Sequence, residues 1–263
     1  MQMSAATIDR LLRTHRTTPK RNQSAPKPGT LLRQKIPVRT FADWDSNRPG
    51  FLEVDLVAHC GESAKGECLH TLCAVDVATR WCVLEVLPNR SQQAVKEAVD
   101  RIRKYLPFPL LGIDSDNDSA FINANLLWYC QKERITFTRC RPYKKNDQTY
   151  VEQKNWTAVR KLVGYERYTS PEARELLERI YRDWCLFVNF FPAGAEARGQ
   201  GKGGRKDPEG LRRGQDALPA SPCFPKCAKG AKERLREIYQ TLNPVELRAC
   251  VERNLEELRR HHE

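Results

Sequence analysis

Three acidic residues occupy positions at which a carboxylate could bind a metal ion. Asp55 lies between apolar Val54 and Leu56, and an acid inside an apolar strand is costly unless it is paired or binds a cation. Asp116 follows a short apolar segment, and Glu152 begins a helical pattern. Three hard oxygen donors on different elements could bind two Mg²⁺ ions, which would clamp the attacking and leaving oxygens of a phosphoryl displacement.

Each of these acids has an alternative role, and other acids compete with them. An aspartate on a strand is often an edge or turn residue, and an acid at a helix N-terminus usually only complements the helix dipole. Asp76, Asp114 and Asp118 are further candidates. The geometry at a strand end favours Asp116 over Asp114, which we expect to face away from the site.

The elements that must position these acids are predicted between residues 49 and 191. Alternating or continuous apolar segments predict strands at 51–59, 69–77, 81–87, 110–114 and 135–139. Apolar residues at helical spacing predict helices at 91–105, 123–133, 150–163 and 172–190. This order predicts an α/β fold, a ribonuclease-H-like mixed five-stranded sheet with flanking helices. In such a sheet the first and fourth strands are neighbours, so Asp55 and Asp116 converge beneath the helix of Glu152.

Several segments resemble one known superfamily. The motif Asp-Asn-x-Ser-x-Phe at 116–121 is similar to the second motif of retroviral integrases and related bacterial transposases. Val-Asp-Leu-Val around Asp55 resembles their first motif, and the 35 residues between Asp116 and Glu152 match the spacing that they favour. Further segments resemble one group of bacterial insertion-sequence transposases: GFLEVDLVAHCG, VDVATRW, LPFPLLGIDSDN, ITFTRCRPYKKND, VEQKNW, VRKLVGYERY and LFVNFF.

The resemblance covers residues 30–191 and resumes near residue 229. It implies a DDE-type transposase or integrase, with Asp55, Asp116 and Glu152 as catalytic and metal-binding residues. It also implies DNA cleavage and strand transfer with two Mg²⁺ or Mn²⁺ ions. The implied partners are transposon ends, target DNA and further copies of the chain in a synaptic complex. The alternatives are an inactive or truncated remnant that only binds DNA, and a ribonuclease-H-like nuclease.

One position departs from the family motif. Asp118 stands where those proteins usually have glycine after Asp-Asn. Glycine permits a left-handed turn that aspartate tolerates less well. We therefore expect strain at this turn, and a fourth carboxylate near the metal ions.

The charge of the chain favours an anionic partner. Its 45 Lys and Arg residues exceed its 33 Asp and Glu residues, for a net charge of +12. Phosphate contacts are predicted for basic residues on and before the Glu152 helix: Lys144, Lys145, Lys154, Arg160 and Lys161. For each of them, a solvated basic face is an equal alternative. Trp156 could stack on a nucleotide base or pack in the core.

Composition divides the chain into four segments. Residues 1–48 are a basic, proline-rich arm with ten Lys and Arg residues and three Asp and Glu residues. The predicted catalytic core follows at 49–191. Residues 192–228 are rich in Gly, Arg and Pro, which predicts disorder and resembles translation in another reading frame. Residues 229–263 regain a helical pattern and are expected to pack on the core or on a partner.

The sequence contains no apolar run long enough to span a membrane and no signal-peptide pattern, so we expect a cytoplasmic protein that associates with the nucleoid when bound to DNA. No complete helix-turn-helix precedes the core. A truncated transposase, or recognition by a separate subunit, would account for this. The ten cysteines are scattered without zinc-site spacing and are expected to be mostly reduced.

Overall fold

The computed structural model describes residues 7, 30–39, 44–45, 47–63, 65–141, 145–191 and 226–261. Its centre is a mixed five-stranded sheet of order β3-β2-β1-β4-β5. The strands are β1 (Phe51–Ala58), β2 (His70–Asp76), β3 (Cys82–Leu87), β4 (Gly112–Ser115) and β5 (Thr136–Arg139). The first three pair antiparallel, whereas β4 lies parallel to both β1 and β5. This topology confirms the predicted ribonuclease-H-like α/β fold.

Eight α-helices flank the sheet within the described residues. They are α1 (Thr30–Lys35), α2 (Gln92–Tyr105), α3 (Ala124–Lys132), α4 (Thr149–Lys154), α5 (Lys161–Val163), α6 (Pro171–Phe190), α7 (Lys229–Thr241) and α8 (Pro244–Leu258). Side-chain caps begin several of them: the Ser91 hydroxyl accepts from the Ala94 N–H at 3.2 Å, and the Asn123 amide oxygen accepts from the Leu126 N–H at 2.8 Å. The predicted helix 150–163 is interrupted by a π-helical turn, Asn155–Arg160, between α4 and α5.

The sheet has an apolar cluster on each face because its strand residues alternate in direction. Leu52, Val54 and Leu72 point toward α2 and α3, whereas Val57 and Cys73 point toward α4 and α6. The C-terminal helices complete both clusters: α7 buries Leu235 in the first, and α8 buries Val251 and Leu258 in the second. The C-terminal helical segment therefore belongs to the same packed unit as the sheet.

The described part of the N-terminal arm is attached to the edge of the sheet. The N–H of Arg39 donates to the Arg139 carbonyl at 2.9 Å, and the N–H of Arg139 donates to the Pro37 carbonyl at 3.0 Å. Ile36 and Trp44 are buried. The arm thus covers the open edge of β5, which would otherwise expose unpaired backbone groups. Disorder was predicted for residues 192–228. Residues 192–225 of this segment lie outside the described part of the chain.

Most of the described cysteines are free thiols, as expected, but one pair is bonded. Cys60 and Cys68 form a disulfide, while Cys73, Cys82, Cys130, Cys140, Cys185, Cys227 and Cys250 are free thiols. Eight positions separate the bonded residues, and their side chains meet only because the chain reverses between β1 and β2. Among the described residues, no helix combines the length and apolar character needed to cross a membrane.

Candidate active site

The pairing of β1 with β4 places the first two predicted acids side by side. The strands run parallel, and Val54 is paired with Ser115 at the last register position. Asp55 follows Val54 within β1, and Asp116 is the first residue after β4. Two carboxylates therefore emerge from neighbouring strands at the same edge of the sheet, as the order of elements predicted.

The charges of Asp116 and Glu152 both act on Asp55, although the three carboxylates do not all lie within 4.8 Å of one another. Burial raises the pKa of Asp55 to about 6, and the charges of Asp116 and Glu152 act in the same direction. Hydrogen bonds from the Leu56 N–H at 2.8 Å and from the Asn155 amide at 2.7 Å oppose this increase. Burial also raises the pKa of Asp116. The site therefore concentrates negative charge that a cation would relieve.

Glu152 lies on a helix that is attached to both β1 and β4. The Glu53 carboxylate accepts from the N–H groups of Tyr150 at 3.0 Å and Val151 at 3.2 Å, the first turn of α4. The buried Gln148 amide donates to the carbonyls of Val54 at 3.4 Å and Asp114 at 3.2 Å. A carboxylate at a helix N-terminus satisfies free N–H groups and complements the dipole. These contacts hold exposed Glu152 above the sheet edge.

Asn155 belongs to the candidate site by its contact with Asp55 and was not predicted from the sequence. It lies three residues after Glu152, so both side chains project from the same face. Its amide nitrogen donates to Asp55 at 2.7 Å, while its buried oxygen has no hydrogen-bond partner among the described residues. The π-helical turn begins at Asn155, and such turns are frequent at functional sites. An Asn three residues after the helical acid is the signal that could have pointed to it.

The competing acids Asp76 and Asp114 have structural roles. Asp76 accepts from the Gly50 N–H at 2.7 Å and from the Thr79 N–H and hydroxyl at 2.7 Å, which closes the turn between β2 and β3. Asp114 is fully buried and accepts from the Thr138 hydroxyl at 2.7 Å. Arg39 lies 3.4 Å from its other oxygen. Neither carboxylate is free to join Asp55 and Asp116.

The strain expected at Asp118 is absent. Among described non-glycine residues, positive φ occurs at Arg80 and Arg134, so Asp118 has an ordinary backbone conformation. Its carboxylate accepts from the Ala120 N–H at 2.7 Å and pairs with Arg90 at 3.1 Å. Its own N–H donates to Asp116 at 3.0 Å. Asp118 thus stabilises the turn that carries Asp116, and Arg90 counters its charge.

The donor set fits a divalent metal ion of the hard class. Asp55, Asp116 and Glu152 offer carboxylate oxygens, the ligands that Mg²⁺ and Mn²⁺ prefer. The partnerless oxygen of Asn155 adds a buried neutral acceptor beside them. The charges of Asp116 and Glu152 raise the pKa of Asp55, and a bound cation would offset this repulsion.

The predicted DNA-contact residues differ in their exposure and in their contacts within the protein. Lys144 lies outside the described residues, and Lys145 is described only by its backbone. Arg160 is engaged within the protein: it donates to the Ala58 carbonyl at 2.9 Å and stacks 4.6 Å from the ring of Tyr165. Lys154 is half-buried and Lys161 is exposed.

Trp156 does not pack in the core. Half of its surface (50%) is exposed, and the Lys161 ammonium lies 5.7 Å from its ring centroid. An exposed aromatic ring with a cation beside it presents the two features to which a nucleotide can bind, a stacking surface and a positive charge. Of the two alternatives that the sequence left open, base stacking is the one that this position allows.

Comparison with known proteins agrees with this geometry. Residues 45–145, which carry Asp55 and Asp116, match the family model of the integrase core domain. The match and the sheet order place this core in the DDE transposase/integrase superfamily, whose members bind DNA and generally use divalent metal ions.

A curated relative extends the similarity beyond the core. The chain is 42% identical over 193 residues to the uncharacterised protein y4rM of Sinorhizobium fredii (strain NGR234). The aligned region covers 73% of this chain and 55% of that protein. The chain therefore spans about half the length of the relative that it matches.

Proposed function

We propose that this chain is the catalytic core of a transposase or integrase that cleaves and joins DNA strands with divalent metal ions. The observation that carries the proposal is the pairing of β1 with β4, which brings Asp55 beside Asp116 under the helix of Glu152. The domain limits 49–191 for the core and 229–263 for the C-terminal segment are part of the proposal.

In this proposal Asp55, Asp116 and Glu152 hold two Mg²⁺ or Mn²⁺ ions. Bound there, the ions would activate a water or a DNA 3′-hydroxyl and stabilise the departing oxygen. The other residues position this set. Asn155 orients the carboxylate of Asp55 through its 2.7 Å hydrogen bond, and Glu53 holds the first turn of the Glu152 helix. The Asp118 N–H orients Asp116.

DNA would approach along the exposed side of the Glu152 helix. Lys154, Lys161 and Trp156 lie on this segment, and the net charge of +12 favours a polyanion. Lys144 and Lys145 precede the helix and are proposed as further phosphate contacts, with Arg160 as a secondary one. Because strand transfer joins two transposon ends to a target, we propose that copies of the chain assemble in a synaptic complex.

The test uses the full chain and two DNA probes: a supercoiled plasmid, and duplexes that carry the sequences flanking its gene. Nicking or joining is measured with Mg²⁺, with Mn²⁺ and with a chelator. We expect metal-dependent products that fall at least 1,000-fold, an order-of-magnitude figure for loss of charge stabilisation, in Asp116→Asn and Glu152→Gln. Glu166→Gln, an exposed acid elsewhere, is the matched control and keeps full activity.

The outcomes separate this proposal from its alternatives. Salt-sensitive DNA binding without any metal-dependent product, in a folded chain, would indicate a remnant that only binds DNA. Cleavage confined to RNA–DNA hybrids would indicate a nuclease. Product formation that survives both substitutions would reject the assigned carboxylates.

A further inference from the structure

A second group of metal-binding side chains lies in the connection between β1 and β2. Cys60 and Cys68 are the two ends of this loop, and His70 is the first residue of β2. One donor atom of each residue lies within 4.8 Å of the other two. Cys68 and His70 are almost buried, at 4% and 8% exposed, whereas Cys60 is half-buried. Within the described part of the chain, these two sulfurs and this imidazole lie close enough together to bind one metal ion.

The loop is held in place by contacts that do not depend on the disulfide. The guanidinium of Arg167 donates to four carbonyls of the loop at 2.8–3.0 Å: Cys60, Ser63, Lys65 and Glu67. Gly61 has a φ of 62°, and an added Cβ would lie 3.1 Å from the Cβ of Arg167. The Cys60 and Cys68 backbones would therefore stay close together if the S–S bond were reduced.

The ring of His70 makes a hydrogen bond of the kind that metal-binding histidines make. Its Nδ1 lies 3.0 Å from the Cys68 carbonyl oxygen, which can only accept, so Nδ1 carries the proton. A neutral ring that is protonated at Nδ1 carries its lone pair on Nε2. A hydrogen bond from one ring nitrogen to a backbone carbonyl is the arrangement that fixes the tautomer of metal-binding histidines.

We propose that Cys60, Cys68 and His70 form a redox-exchangeable site for a thiophilic divalent cation, Zn²⁺. In the oxidised chain the two sulfurs are bonded to each other. An external thiol or phosphine reductant supplies two electrons and is itself oxidised. The sulfurs take up two protons as the S–S bond breaks. Zn²⁺ then displaces those two protons and binds two thiolates and the neutral imidazole.

The donor set selects this cation over the ions of the candidate active site. Two thiolates and an imidazole suit zinc, whereas Mg²⁺ requires oxygen ligands. Zinc bonds of about 2.3 Å to sulfur and about 2.1 Å to nitrogen hold donors roughly 3.4–3.8 Å apart, within the spacing that the group already has. A water molecule would complete the four ligands that zinc usually has.

The experiment titrates the full chain with Co²⁺ after reduction by a phosphine, which competes little for the metal. Thiolate ligands give Co²⁺ an intense near-ultraviolet charge-transfer band that carboxylates cannot produce. In the reduced chain we expect the band to grow until one equivalent of Co²⁺ has been added and to disappear when Zn²⁺ replaces Co²⁺. In the oxidised chain we expect no band. Since the carboxylate site is silent in this measurement, the result does not depend on the proposed DNA chemistry.

Variants assign the band to these residues. Cys68→Ser should abolish it, and His70→Asn should weaken Zn²⁺ affinity roughly tenfold or more. Cys140→Ser removes a free thiol elsewhere and should leave it unchanged. Thermal unfolding of the reduced chain gives a second readout: the rise in melting temperature caused by Zn²⁺ should be smaller in Cys68→Ser and His70→Asn than in the wild type. A reduced wild-type chain without the band, or a band that persists in folded Cys68→Ser, would overturn the site.

Discussion

The guanidinium of Arg39 lies 3.0 Å from the carboxylate of Glu53, and this ion pair joins the N-terminal segment to the candidate active site. The other oxygen of Glu53 accepts from the first turn of α4, which carries Glu152. Arg39 also lies 3.4 Å from Asp114, the neighbour of Glu53 across the β1–β4 pairing. One cation thus neutralises two buried acids between the strands of Asp55 and Asp116.

Arg39→Met should destabilise the protein by about 3 kcal/mol, because it leaves Glu53 and Asp114 buried without a counter-charge. Urea unfolding measures the change. The triple variant Arg39→Met/Glu53→Gln/Asp114→Asn should recover part of this loss, since it removes the unpaired charges as well. Equal stability of the single and triple variants would show that the ion pair contributes packing rather than charge balance.

Asp55→Asn should stabilise the chain in the absence of metal and remove its response to metal. Burial and the charges of Asp116 and Glu152 raise the pKa of Asp55 to about 6, so the ionised form that predominates at neutral pH is less stable in the folded chain than in the unfolded chain. Loss of that charge should add on the order of 2 kcal/mol to the free energy of unfolding. In the wild type, Mg²⁺ or Mn²⁺ should raise the melting temperature.

Urea unfolding and the melting temperature of the wild type and of Asp55→Asn are measured with a chelator and with metal. The chelator tests the predicted gain in stability, and the metal tests the predicted loss of response. A destabilised Asp55→Asn chain under chelation would contradict the electrostatic argument. An unchanged metal response in that variant would place the metal site elsewhere.

Trp156→Ala should weaken binding of single-stranded DNA by about 1–3 kcal/mol for each stacked base. Trp128 on α3 provides a matched control: it is 60% exposed, against 50% for Trp156, and the Lys132 ammonium lies 5.3 Å from its ring. Trp128→Ala should leave binding unchanged because it lies on the opposite face of the sheet. Fluorescence anisotropy with a labelled oligonucleotide distinguishes them, and equal losses would indicate non-specific binding.

His59 should make the fold sensitive to acid. Burial lowers its pKa from 6.5 to about 3, with Arg160 and His70 acting in the same direction, so the folded chain holds this ring neutral. Below pH 6.5 the unfolded chain takes up a proton that the folded chain refuses. Stability should therefore fall by about 1.4 kcal/mol per pH unit from this residue until pH approaches 3.

The contribution of His59 is isolated by comparison with His59→Gln. Asp55 and Asp114, whose pKa values are raised to about 6, act in the opposite direction in part of this range, but they are common to both chains. The wild type should lose stability more steeply than the variant between pH 6 and pH 4. Parallel pH profiles would show that the ring is protonated in the folded chain.

The sequence by itself determined the strands and helices of the core, and it predicted the three acids of the candidate site. These features depend on local rules: side chains alternate along a strand, and Ser91 or Asn123 caps the helix that follows it. Parallel pairing of the first and fourth strands then leaves Asp55 and Asp116 at one edge. That relationship follows from the order of elements and needs no knowledge of side-chain contacts.

Only the tertiary structure decided how these acids are held. Asn155 contacts Asp55 across 100 residues of sequence, and Glu53 contacts Tyr150 across 97. Tertiary contacts also determine three further features: the π-helical turn, the Cys60–Cys68 pair and the packing of α7 and α8 on opposite faces. Each depends on which distant segment lies nearby, which local propensity and periodicity do not encode. The sequence therefore predicts which acids form the candidate site, whereas the residues that position them became apparent only in the fold.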